Sequence, residues 1–167
     1  MSSTQAKNGN DARDSALEQV RKAIRANQNR IYEFEIPGSN GLVARLGDMP
    51  YEKYRSIGDA AENEADGEAA QERLIALDAL IHACKQVFIR LPSGELVSPD
   101  PEGECKFDKH LADALGFEFT DARATVLAVF PNDYVVVEEF NRWFEWTRDF
   151  SFQDDLVGKS EGTRLSN

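Results

Sequence analysis

The segment from Asp133 to about Phe150 constrains the fold more than any other part of the chain. On a helix turning about 100° per residue, Val135, Val136, Val137, Phe140, Trp143, Phe144, Trp146 and Phe150 fill an arc of about 200°. A core-facing stripe needs little more than about 100°. Only Glu139 interrupts the arc, and Glu138, Asn141, Arg142, Glu145, Arg148 and Asp149 occupy the remaining side. Such a helix has two outlets. It lies buried between two layers, or it buries part of the arc and offers an edge to another protein. Aromatic residues at an exposed edge are frequent binding anchors, which makes Val135, Trp143, Trp146 and Phe150 the candidate partner-binding residues.

The rest of the chain supplies layers for that helix. Met1 to Asp11 is too poor in apolar residues to offset its ordering entropy and reads as a disordered tail over residues 1–11. Ala16, Leu17, Val20, Ala23 and Ile24 then form one stripe of a helix over Arg13 to Asn27, with Arg21, Lys22 and Arg25 outside it. The period changes next. Tyr32, Phe34 and Ile36 alternate with Glu33 and Glu35, and Pro37-Gly38-Ser39-Asn40-Gly41 is a turn cluster. Leu42, Ala44 and Leu46 alternate on the return, so a β-hairpin is expected at about 31–46.

Asp48-Met49-Pro50 marks a helix start, and Tyr51, Tyr54 and Ile57 follow at helical spacing. Asp59 to Glu72, mostly Ala, Glu and Asp, reads as a solvated helix or a helix–loop–helix junction. Leu74, Leu77, Leu80, Ile81, Cys84 and Phe88 mark a core helix. Pro92, Pro99 and Pro101 with Gly94 and Gly103 make Leu91 to Glu104 a loop. Phe107 to Leu115 is a short helix closed by Gly116, Thr120 caps a helix over Asp121 to Phe130, and Asn132 caps the last one. The expected fold is mainly α: a small multi-helix domain with an N-terminal β-hairpin and flexible N- and C-terminal tails. The domain spans residues 12–150, and 151–167 is a polar tail.

Charge and composition narrow the function. The 167 residues carry a formal net charge of −11, which repels phosphates and argues against nucleic acid as a partner. No apolar run approaches the roughly 18 residues that span a bilayer, and the polar N-terminus lacks the apolar stretch of a signal peptide. A cytoplasmic protein without a membrane partner is expected. Cys84 and Cys105 suit that reducing compartment as free thiols.

Catalysis finds no anchor. The set His82, Cys84, Cys105 and His110 lacks the Cys-x2-Cys pairs of closed zinc sites, and on one helix His82 and Cys84 would point about 200° apart. Gly158-Lys159-Ser160 echoes the end of a phosphate-binding loop, but Gln153 stands where that motif needs its first glycine. The carboxylate pairs Glu138-Glu139 and Asp154-Asp155 have no basic or nucleophilic partner in sequence and read as charged, solvated faces. With two histidines and no motif around either, no Ser–His–Asp arrangement can be drawn. No catalytic, metal or cofactor residues are assigned, and the chain is read as a binding protein rather than an enzyme.

The order of elements resembles a family. Leu91-Pro92-Ser93-Gly94-Glu95-Leu96 is followed by Phe107-Asp108-Lys109-His110-Leu111-Ala112, then Ala124-Thr125-Val126-Leu127. Val129-Phe130-Pro131-Asn132-Asp133-Tyr134 and a closing helix with Trp143 come last. Together with the hairpin and Leu46-Gly47-Asp48-Met49-Pro50-Tyr51, this resembles the tail assembly chaperones of long-tailed (siphovirus-like) bacteriophages of actinobacterial hosts, over roughly Ile31 to Phe150. The resemblance implies a mostly helical protein without a cofactor. Its partner would be the tape measure protein, which it coats and keeps soluble in the host cytoplasm. It would help recruit tail tube protein, self-associate along one tape measure chain, and be absent from the mature virion. Such chaperones are commonly made in two lengths by programmed frameshifting at a site read as Gly-Lys, and Gly158-Lys159 stands near the end of this chain. Two other classes fit the composition: a structural tail or head–tail connector protein, present in purified particles, and a small metal-binding or redox protein using the His/Cys set.

Overall fold

The computed structural model describes the backbone of residues 3–149 and the side chains of residues 8–149. The expected C-terminal tail and Phe150 lie outside the described residues. The chain divides into two units, Met1–Ile31 and Tyr32–Asn167.

The first unit is one helix, α1 (Ser3–Gln28). It begins at Ser3 rather than at Arg13, so the segment expected to lack order is helical. Low hydrophobicity prevents those residues from contributing to a core. It does not prevent a helix nucleated further along from propagating back through Gln5, Ala6 and Lys7, which are good helix formers.

The second unit is mixed α/β rather than mainly α. Its four strands, β1 (Tyr32–Glu35), β2 (Leu42–Leu46), β3 (Cys84–Arg90) and β4 (Leu96–Val97), form an antiparallel sheet in sequence order. The expected hairpin is present as β1 and β2, with Phe34 opposite Ala44. Its turn needs backbone with positive φ at Gly38 (76°), Asn40 (57°) and Gly41 (120°), residue types that adopt this region at little cost. The Ser39 hydroxyl donates to the Ile36 carbonyl at 2.6 Å and its oxygen accepts from Leu42 N–H at 3.1 Å, which locks the turn.

Among the described residues, five helices complete this unit: α2 (Tyr51–Glu64), α3 (Glu68–Ala83), α4 (Lys109–Leu115), α5 (Ala122–Val129) and α6 (Asp133–Arg148). The junction at 65–67 separates α2 from α3, as the Ala/Glu-rich stretch suggested. α3 packs against α2, α5 and α6, and its Ala76, Leu77, Ala79 and Leu80 are buried. Side chains from both layers meet there: Ile36, Leu46 and Val87 from the sheet side, Leu111, Val126, Val136 and Trp143 from the helices.

The core helix expected through Phe88 ends at Ala83, and the chain passes directly into β3. Cys84 and Phe88 are four residues apart, a spacing that suits a helix turn and also two repeats of a strand, so periodicity could not separate them. Pairing with β2 decides the matter. A bulge between Arg45 and Leu46 then shifts the register, so that Cys84 and Val87 face inward. Phe88 is left half-buried beneath the Arg45 guanidinium, 4.6 Å from its ring centre. The expected loop 91–104 also contains β4, paired with Ile89 and Arg90.

Helix ends follow side-chain chemistry. Asp108 and Asn132 accept hydrogen bonds from Leu111 N–H and Val135 N–H, and Gly116 closes α4 in the left-handed region at φ 77°. At α5 the cap is Asp121 rather than Thr120, because the Asp121 carboxylate reaches Ala124 N–H at 2.7 Å. Among the described residues, no helix is long and apolar enough to cross a membrane.

Candidate functional site

The apolar arc of α6 is shared between several neighbours, which explains its width. Val136, Phe140 and Trp143 point into the core. Phe144 stacks with Tyr54 of α2 at 5.2 Å, and Phe140 with the same ring at 6.5 Å. Trp146 meets Tyr32 of β1 at 5.7 Å. The helix is thus enclosed on one side by the sheet edge and on the other by α2 and α3.

This geometry divides the candidate anchors. Trp143 is 1 % exposed and its indole N–H donates to the Gly47 carbonyl at 3.0 Å, so it is a core residue with its polar atom satisfied and is unavailable to a partner. Val135 and Trp146 are half-buried and pack against the core. Phe150 lies outside the described residues. Among the described residues, Val135, Trp143 and Trp146 do not form an exposed edge.

Glu139, the one acidic residue in the arc, is buried and has a purpose in the packing. Its carboxylate accepts from Arg142 at 2.6 Å and from the Tyr32 hydroxyl at 3.4 Å. Burial, followed by the Glu139 charge, pushes the Tyr32 phenol up to about 12, because both oppose a second negative charge. The cluster ties α6 to β1.

A second polar cluster was not legible in the sequence. Arg123 of α5 donates two hydrogen bonds to Asp78 of α3, both at 2.7 Å, and two to Glu64 of α2 at 2.8 and 3.1 Å. The planar guanidinium suits this forked pairing. The pairing raises Arg123 above its ordinary range and holds the Glu64 carboxyl below its own. Its donors are used internally, so the cluster reads as a tie across three helices. Residues 59 and 45 positions apart leave no periodic trace.

The His/Cys set is not gathered. Cys84 and Cys105 are free and buried, and burial pushes the Cys84 thiol up to about 12. His110 lies at the surface, 3.4 Å from Asp100, and burial pushes His82 down. Among the described residues, no group of three His, Cys, Asp or Glu side chains is placed to hold a metal ion.

A groove that could receive apolar side chains lies elsewhere on the second unit. The groove, of about 330 Å³, runs between the hairpin turn 38–41, the end of β3, and the α4–α5 corner. Leu42, Ile89, Leu115, Phe117 and Val129 give it apolar walls, and Arg90 lies at its side. Phe117 is 42 % exposed. No protein-family model, curated protein or solved structure matches the chain.

Proposed function

We propose that this chain is a protein-binding module that acts as a tail assembly chaperone, holding the tape measure protein soluble while a phage tail is built. The observation that carries this reading is the apolar groove at Phe117 on an otherwise strongly acidic unit. A long helical client displays apolar side chains at regular spacing, and a groove of this size accepts one or two of them while the net negative charge of the chain keeps the complex soluble. Residues from Tyr32 onward form the second unit, and the stretch that resembles the chaperones starts at Ile31, so the resemblance and the groove fall on the same part of the chain. Recruitment of tail tube protein, residence in the host cytoplasm and absence from the virion belong to the same proposal.

Co-expression with a tape measure protein tests it. The expected result is co-purification and a larger soluble fraction of the client, both lost in Phe117→Asp while that variant keeps its circular dichroism spectrum. A chain that neither co-purifies with the client nor raises its solubility would sink the proposal. Its presence in purified particles would point instead to a structural tail component.

A further inference from the structure

The formal charge of −11 is unevenly distributed. Residues 1–31 contain six of the nineteen Lys and Arg but three of the thirty Asp and Glu, giving +3; residues 32–167 hold the other thirteen and twenty-seven, giving −14. Within α1 the charges are further sorted. Residues 11–18 carry Asp11, Asp14 and Glu18 against one base, Arg13, for a net −2, whereas Arg21, Lys22 and Arg25 follow with no acidic residue among them, for a net +3. The two blocks meet at an exposed ion pair, Glu18–Arg21 at 3.5 Å.

The apolar stripe of α1 is open. Leu17, Val20 and Ile24 are 43 %, 53 % and 49 % exposed, and Ala16 and Ala23 beside them are exposed as well. Leu17 and Ile24 are one heptad apart with Val20 between them, the spacing of a two-helix seam. A lone helix is marginal in water and takes most of its stability from covering such a stripe, and Gly9 within it costs about 1 kcal/mol more.

We infer that α1 pairs antiparallel with α1 of a second copy of this chain. Antiparallel pairing sets the acidic block of each helix against the basic block of the other; parallel pairing would set like against like. With Leu17 against the partner's Val20, the heptad places Asp14 beside the partner's Arg21, twice by symmetry, and the small Ala16 and Ala23 allow close approach. A strongly acidic surface is a poorer occupant, because it would attract Arg21, Lys22 and Arg25 but repel the net −2 of residues 11–18. The inference does not depend on the groove or on the client that fills it.

Sedimentation equilibrium on the full chain, with charge-reversal variants, provides the test. The wild type is expected to be a dimer at tens of micromolar. Leu17→Glu is expected to be monomeric, with an unchanged tryptophan-monitored unfolding transition. Asp14→Arg weakens the dimer about tenfold, since two attractive contacts become repulsive, and Asp14→Arg with Arg21→Asp restores it. A monomeric wild type overturns the inference. So does tighter association of Asp14→Arg, the sign of α1 meeting acidic protein surface, or a monomer that binds vesicles containing anionic lipid and does so better as Asp14→Arg.

Discussion

α1 and α6 share one sequence pattern and come to opposite ends. Both are amphipathic with charged residues opposite an apolar stripe. α6 buries Val136, Phe140 and Trp143 and even encloses the carboxylate of Glu139, whereas α1 leaves Leu17, Val20 and Ile24 open. The difference is one of size and surroundings. α6 carries aromatic rings that reach both the sheet and α2, so neighbours on two sides gain by packing against it. The α1 stripe is aliphatic and narrow, the shape of a seam that another helix can close. Amphipathicity therefore identifies the face to be covered without naming what covers it.

Substitutions sharpen the contrast. Trp143→Ala is expected to have the largest effect, a loss of about 3–5 kcal/mol in urea denaturation, because it opens a large cavity and orphans the Gly47 carbonyl. A loss below about 1 kcal/mol would mean that the α6 core is far looser than its burial implies. Glu139→Ala should cost about 1–2 kcal/mol by removing the acceptor of Arg142 and Tyr32, and should bring the Tyr32 phenol down toward its ordinary value in a tyrosinate absorbance titration. The same phenol makes stability depend on alkaline pH. Its folded value is raised, so its contribution is complete below the ordinary value near 10 and disappears as pH rises through about 12. Tyr32→Phe should flatten that part of the stability profile. Val20→Ala in α1 should move the tryptophan-monitored transition least, by no more than about 0.5 kcal/mol. A larger shift would show that α1 and the second unit unfold as one.

Much of the second unit was legible because local chemistry dictated it. Asn132 and Gly116 announced helix ends by side-chain reach or backbone freedom, and Pro37 to Gly41 announced the hairpin, whereas the cap at Asp108 starts α4 two residues after the expected Phe107. The strand β3 was not legible. Cys84 and Phe88 continued the helical spacing of α3, and only pairing with β2, far back in the chain, converts them to strand. Thr120 was named as a cap where the adjacent Asp121 has the better acceptor. The candidate site was harder still. The width of the α6 arc records how many neighbours a helix has without distinguishing those within its own fold from foreign ones. Phe117 carries no signal as a single residue, since its groove is assembled from four separate segments.

The buried thiols carry a practical consequence. At neutral pH Cys84, with its acid–base midpoint near 12, holds almost no thiolate, and Cys105 is completely shielded from solvent. Alkylating reagents should therefore leave the native chain largely untouched. One cysteine introduced on the surface becomes a unique attachment point for a fluorophore or spin label, without deleting the natural pair. Slow modification of Cys84 or Cys105 would in turn act as a clock for rare openings of the sheet.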